Sequence, residues 1–300
     1  MDSGKGGKKK KGRPLRPFSV VVPVYNEVDA VSETLRRIEK ALGSIPSPWE
    51  IIVVDDGSTD RTYEELKTEK IPKLKLMRHA TNKGYGSALK TGIRAARYDV
   101  VVITDADGTY PSARIPELVA EMGEHKMVVG ARTGKNAKIP ILRRPAKWIL
   151  GILANYLMSF KCPDLNSGLR AMEKELLLKY FDFLPNGFSF TTTITLLLVT
   201  KAYPVKYIPI DYATRIGKSK IRPIQDTLYF LQLIIRTIMY YDPLKIFLPI
   251  SLPLIVTGFL LILYQAIVNQ NITTVSVIIT LSGIQILAIG MLADLIDKRM

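Results

Sequence analysis

Two apolar runs near the C-terminus set the tightest limit on how this 300-residue chain can fold. Ile246 to Val268 and Ile272 to Ala293 carry no charged side chain. At about 1.5 Å per helical residue, each reaches roughly 33–35 Å, enough to cross a hydrocarbon layer of ~30 Å. Only Asn269-Gln270-Asn271 joins them, so the runs read as an antiparallel hairpin. Pro249 and Pro253 fall early in the first run, where proline costs least. The joining turn lacks Lys and Arg, whereas the N-terminal region and the final Asp-Lys-Arg-Met contain them. The positive-inside rule therefore expects the large domain and both termini in the cytoplasm. Gly283 and Gly290 would permit close helix packing, which leaves a homo-oligomer open.

Charge is distributed as unevenly as hydropathy. The net charge is +15, and residues 1–16 hold seven Lys/Arg against one Asp. That segment is too polar and Gly-rich to fold. It reads either as a solvated tail or as a polybasic arm on anionic lipid. A single cysteine, Cys162, excludes an intramolecular disulfide. The two histidines, His79 and His125, have no soft-ligand neighbours in sequence, so a zinc site is not expected. A metal here should be a hard cation held by oxygen.

From Phe18 to Gly130 the pattern alternates between strand and helix. Strands are expected at 18–23, 49–58, 74–79, 99–107 and 127–130, with helices at 26–42, 59–69, 84–97 and near 114–122. In the first helix Val28, Val31, Leu35, Ile38 and Leu42 fall at helical spacing. Continuous apolar strands alternating with helices imply a mainly parallel sheet covered on both faces. Such sheets bind ligands beyond the carboxyl ends of their strands. The polar clusters YNE, DDGSTD, NKGYG and DADGTYP all fall there.

Residues 143–160 and 223–242 each show a narrow polar stripe on an otherwise apolar helix pattern. Both fit core helices or helices lying in the membrane interface. The interface reading is favoured for 223–242, because an apolar run follows at once. The domain plan is then a basic tail (1–16), an α/β domain (17–221), an amphipathic helix (222–243) and the hairpin (244–300).

Asp105 and Asp107 are two residues apart in an extended segment, so they face the same way. Such a pair suits Mg²⁺ or Mn²⁺, which bridges one or two carboxylates to a substrate diphosphate and retains water. Alone the pair is a weak signal. Its company is specific: VVPVYNE, VVDDGSTD, NKGYGSALKTG and DADGTYP occur in this order. Together they resemble the family-2 glycosyltransferases of GT-A fold, over roughly Phe18 to Lys220. The resemblance implies that Pro23, Tyr25, Glu27, Asp55, Asp56 and Lys83 serve the nucleotide. It also implies that Asp105 and Asp107 handle metal and diphosphate, with Asp107 the direct ligand.

Three further stretches, GAR (130–132), DLNSGLRA (164–171) and RIGKSKI (215–221), are similar to those of polyprenyl-phosphate sugar synthases of the dolichol-phosphate mannose synthase type. The likeness implies an inverting transfer from a nucleotide sugar to a polyprenyl or dolichyl phosphate. Arg132, Arg215, Ser219 and Lys220 would hold the acceptor phosphate, and Asp107, Arg132, Arg215 and Lys220 would carry the catalytic electrostatics. GDP-mannose is the leading donor. UDP-glucose is the alternative, because Thr109 stands where such mannose synthases often have glutamine. Thr193 stands where many relatives carry glutamate. A phosphate acceptor is already ionised and needs no general base, which suits a chain poor in histidine. Rival readings are a processive polysaccharide synthase, a non-catalytic nucleotide-sugar module and an oxidoreductase. The first lacks a Gln-x-x-Arg-Trp motif, and the last has too few glycines. Nucleic acid is not an expected partner, because no aromatic-basic reading surface accompanies the tail.

Overall fold

The computed structural model describes residues 15–134, 162–213, 235, 239 and 242–297. The helix patterns at 143–160 and 223–242 lie outside these residues, save Ile235, Met239 and Asp242. So do most of the basic tail and the Arg215–Lys220 cluster. The chain divides into two compact units. Residues 15–134 and 163–213 belong to the first; the described residues from 235 onward belong to the second.

The first unit is built on one seven-stranded sheet in the order β3-β2-β1-β4-β6-β5-β7. Its strands are β1 (Phe18–Val24), β2 (Trp49–Asp55), β3 (Leu74–Arg78), β4 (Val100–Ile103), β5 (Met127–Ala131), β6 (Arg170–Glu173) and β7 (Val205–Pro209). β1 to β4 pair in parallel, as does β5 with β7. β6 runs antiparallel to both β4 and β5. Every residue of β1, β4 and β5 is buried, which accounts for their unbroken apolar sequence.

The helices are α1 (Val31–Gly43), α2 (Thr62–Thr68), α3 (Tyr85–Ala95), α4 (Ile115–Ala120), α5 (Lys174–Lys179) and α6 (Phe190–Thr200). α1 buries Val31, Leu35, Ile38 and Leu42, as their spacing predicts. It begins at Val31 rather than Asn26, however. Asn26 takes a left-handed φ of 52°, and the Glu27 carbonyl accepts the N–H groups of Ala30 and Val31. Val28 therefore precedes the helix. The helix expected at 114–122 is broken into α4 and flanking 3-10 turns, with Pro116 at its start. β4 stops at Ile103, so Thr104–Asp107 are loop rather than strand.

β6 hides an arginine. Arg170 is fully buried, although charged side chains almost never are unless paired. Its Nε donates to the Ser167 carbonyl at 3.0 Å, and its Nη1 donates to the Thr191 carbonyl at 2.9 Å and to Thr195 Oγ1 at 2.7 Å. These partners are neutral. Burial pulls the Arg170 pKa below its ordinary value, against the opposing pull of Tyr207 and Tyr85. One side chain thus ties the entry of β6 to α6.

The second unit is a hairpin of α7 (Leu244–Tyr264), a π-type turn (Gln265–Asn269) and α8 (Thr274–Asp297). Both helices are long and apolar enough to cross a membrane. Phe259, Ile267, Val275 and Leu292 lie on its exposed surface. Pro249 and Pro253 sit inside α7, past its first turn, so they are not in the position where proline costs least. The helix continues through them, and the Ser251 hydroxyl donates to the Leu248 carbonyl at 3.3 Å between them. Gly283 and Gly290 face α7: a Cβ would lie 2.7 Å from Ile255 Cγ1 at the first and 2.6 Å from Phe247 Cβ at the second. Their small size lets the two arms of the hairpin approach closely. Gln265 Oε1 accepts from Thr273 N–H and from the Ser276 hydroxyl, both at 2.9 Å, which closes the turn.

Replacing Arg170 tests the tie. Arg170→Met strips the buried Ser167 carbonyl of its donor and removes the bonds to Thr191 and Thr195, and stability should fall by about 2–4 kcal/mol. An unchanged thermal midpoint of the full chain in detergent would show that the tie carries no weight.

Candidate active site

The strand directions gather the polar motifs at one edge of the sheet. β1, β2, β4 and β5 all end there, and β6, running the opposite way, starts there. The loops after four strands therefore face the segment that enters the fifth.

At the end of β1, Pro23 is buried, whereas Tyr25 and Glu27 are half-buried. The β1 and β2 loops are cross-tied. Asn26 N–H donates to Ser58 Oγ at 2.9 Å, Thr59 N–H to Asn26 Oδ1 at 2.8 Å, and Glu27 N–H to Thr62 Oγ1 at 2.9 Å. Asp55 lies fully buried at the tip of β2. Its Oδ1 accepts the Ser58 N–H at 3.2 Å. Arg78 Nε approaches Oδ2 at 3.1 Å, but off hydrogen-bond alignment, so Oδ2 is a buried acceptor without a hydrogen-bond donor.

Asp56 has a different task. Its Oδ1 accepts Lys83 N–H at 3.0 Å and lies 2.6 Å from His79 Nδ1. Its Oδ2 accepts Gly84 N–H at 2.7 Å. His79 Nε2 in turn lies 2.9 Å from Thr91 Oγ1 on α3. Asp56 and His79 therefore brace the NKG loop against α3. Lys83 enters this brace through its backbone, and its side chain is exposed. Gly84 is required for its φ of 99° and because a Cβ would meet the Asn186 carbonyl at 2.6 Å.

Asp105 and Asp107 are each oriented by a neutral hydroxyl. Tyr85 donates to Asp105 Oδ1 at 3.0 Å. Burial first, and then Asp105, pushes the Tyr85 phenol well above its ordinary pKa, so it remains a donor. Gly168 backs the other side: a Cβ there would lie 2.6 Å from Asp105 Oδ2. Asp107 is buried, and its Oδ1 accepts the Thr109 hydroxyl at 2.6 Å and the Thr109 N–H at 3.2 Å. Thr109 is anchored in turn by Ala213 N–H on its carbonyl at 3.0 Å. Among the described residues, no group of three or more His, Cys, Asp or Glu side chains is placed to enclose a metal. Two oriented carboxylates with oxygen donors only fit a hard divalent cation whose remaining ligands are water and substrate phosphate.

Arg132 follows β5. Its Nε and Nη2 donate to the two oxygens of Asp164, each at 2.8 Å, and its backbone N–H donates to Oδ2 at 2.9 Å. Burial alone would lower the Arg132 pKa; Tyr110, Asp164 and Tyr212 outweigh it, and the pKa is raised well above the ordinary value. The guanidinium also lies over the Tyr212 ring, 5.3 Å from its centroid. Two nitrogens on one edge of the fork are thus committed to Asp164, and Nη1 is the nitrogen not used on it.

Asp55, Asp56, Asp105, Asp107 and Arg132 therefore border one edge of the sheet, while Arg215, Ser219 and Lys220 lie outside the described residues. Sequence reasoning singled out none of Tyr85, His79, Asp164 or Tyr212. Tyr85 and Asp164 sit inside the quoted motifs NKGYG and DLNSGLRA, where each could have been noted. Tyr212 and His79 carried none.

A family model described as glycosyl transferase family 2 matches residues 19–181, and a GtrB C-terminal hairpin model matches 242–298. The undecaprenyl-phosphate 4-deoxy-4-formamido-L-arabinose transferase of Salmonella choleraesuis (strain SC-B67) is 30% identical over 211 residues. That alignment takes 69% of this chain and 63% of the relative, so the chain spans under two thirds of its relative's length. Among solved structures, glucosyl-3-phosphoglycerate synthase from Mycobacterium tuberculosis with Mn²⁺, UDP-glucose and phosphoglyceric acid has a TM-score of 0.55 at 20% identity, covering 74% of this chain and 80% of that one. Mannosyl-3-phosphoglycerate synthase from Rubrobacter xylanophilus also has a TM-score of 0.55, at 19% identity over 75% and 72%. These structures share the GT-A fold expected from the motifs. With the motifs assembled at one sheet edge and a model matching more than half its length, the chain belongs to glycosyltransferase family 2.

Proposed function

We propose that this chain moves a hexose from a nucleotide sugar to a polyprenyl phosphate at a membrane. The observation that carries the reading is the oriented pair Asp105–Asp107 at the carboxyl edge, in a chain that also bears two candidate spans. A relative named as an undecaprenyl-phosphate sugar transferase supports the lipid acceptor. The catalytic unit and both termini would face the cytoplasm, as the charge pattern expects.

The reaction is an in-line displacement. An oxygen of the acceptor phosphate forms the new bond at the anomeric carbon as the bond to the diphosphate oxygen breaks. The electron pair leaves with the diphosphate, and no proton has to move. Asp55 Oδ2 would accept an N–H of the base, which both guanine and uracil can supply. Mg²⁺ or Mn²⁺ held by Asp105 and Asp107 would neutralise charge developing on the leaving diphosphate. Tyr85 and Thr109 keep the carboxylates in register. Arg132, held by Asp164, would present Nη1 to an anion without having to be ordered at the moment of reaction. Arg215, Ser219 and Lys220 would meet the acceptor phosphate through charge-assisted bonds.

GDP-mannose is the first donor to test. UDP-glucose is the second reading, favoured by Thr109, which here orients Asp107 where a glutamine is common in mannose synthases. A donor panel with the full chain, divalent metal and polyprenyl phosphate should yield one glycolipid; no product from any donor would refute the transfer. Asp107→Ala should lower turnover at least a thousandfold while the thermal midpoint is kept. Near-normal turnover would remove Asp107 from the metal site. Lys220→Ala should raise KM for the lipid phosphate about tenfold and leave the donor KM within twofold. The reverse order would move Lys220 to the donor side.

A further inference from the structure

Among the described residues of the first unit, large apolar side chains are exposed at only three positions: Leu178, Phe183 and Phe188. Phe188 is the most exposed of them, at 60%. Its ring stacks on Tyr85, with centroids 5.6 Å apart and planes 19° from parallel. The Tyr85 hydroxyl is the donor to Asp105. An exposed phenylalanine therefore stands one side chain away from an aspartate of the active site.

The loop that carries Phe188 is fastened down. Ser87 N–H donates to the Asn186 carbonyl at 3.0 Å, and Lys90 Nζ donates to the Leu184 carbonyl and, at 3.0 Å, to Asn186 Oδ1. A Cβ on Gly86 would fall 2.2 Å from the Pro185 carbonyl, so the loop and the start of α3 are in close contact. No Cβ clash limits Gly187, where nothing lies within 4 Å. The loop is thus held at Asn186, and the Phe188 ring lies half out of the surface on top of Tyr85.

We infer that Phe188, supported by Tyr85, is the apolar lip that meets the first isoprene units of the lipid acceptor. This rests on the polyprenyl-phosphate reading above. In that reaction the attacking phosphate must reach a sugar whose diphosphate lies at Asp105 and Asp107. The prenyl carbon is bonded to that same phosphate, so hydrocarbon begins one P–O–C link from the reacting oxygen. It has to leave past the surface beside Asp105, where Phe188 stands one side chain away through Tyr85. Covering an exposed aromatic with the chain removes apolar surface on both partners from water.

The test uses the full chain in one detergent throughout. Geranylgeranyl phosphate and methyl phosphate serve as acceptors that differ only in hydrocarbon. Phe188→Ala should raise KM for geranylgeranyl phosphate about tenfold, leaving KM for methyl phosphate and for the donor within twofold. Phe188→Leu, apolar but not aromatic, should restore most of the difference. A raised donor KM with acceptor preference intact would overturn the lip and make Phe188 a platform for the donor sugar. A leucine variant as poor as the alanine one would overturn it as well. A binding readout separates this inference from the transfer itself. Indole emission from Phe188→Trp should shift to the blue on titration with geranylgeranyl phosphate and not with methyl phosphate. The absence of that shift overturns the lip whether or not the chain makes product, whereas missing product with the shift present counts against the transfer alone.

Discussion

Arg170 has to satisfy its donors without water, and its partners decide the shape of half the site. The carbonyl of Ser167 and the carbonyl and hydroxyl it takes from α6 fix the 164–170 segment in place. Everything that segment offers then follows. Asp164 can bind Nε and Nη2 of Arg132 together, Gly168 can press against Asp105, and the Asn166 amide oxygen can accept from Thr191 at 2.7 Å. A buried charge without a carboxylate partner costs stability, and the cost is tolerable only because nearly every guanidinium edge is used. The threonine-rich start of α6 makes sense in the same terms. Thr195 faces the arginine, and Thr193 satisfies itself on the Ser189 carbonyl at 2.9 Å.

The two halves of the site are held by different means. Around the expected nucleotide, ties run from backbone N–H groups to carboxylates and short hydroxyls, as in the Asp56 brace and the Asn26–Thr59 pair. Around the aspartate pair, the ties are phenols and a threonine. Burial raises the pKa of Tyr85, Tyr110 and Tyr212, so none of these hydroxyls ionises where carboxylates and phosphates are fully charged. Tyr85 thereby stays the donor to Asp105, and the neutral Tyr110 hydroxyl accepts the Gly168 N–H at 2.6 Å.

Much of this was legible in the sequence. Strands of Val and Ile, closed by polar clusters, announced the sheet and the edge at which ligands bind. The aspartate pair and its neighbours announced the family. What escaped was short or self-contradictory. β6 has four residues and begins with Arg170, a residue that argues against a buried strand until its partners are known. Asp56 reads as a ligand residue beside Asp55, yet its oxygens are taken by His79 and the backbone of Lys83 and Gly84. Adjacent residues point to opposite sides, and sequence alone does not tell which side is the loop. Gly283 and Gly290 likewise announced close packing without revealing that the partner was the other arm of the same hairpin.

The reversed direction of β6 has a mechanical consequence. β5 leaves the sheet at the same rim where β6 enters it. Arg132, just past β5, and Asp164, shortly before β6, are bonded to each other there at 2.8 Å. The outgoing and incoming chains are therefore latched at the rim by side chains as well as by the strand ladder.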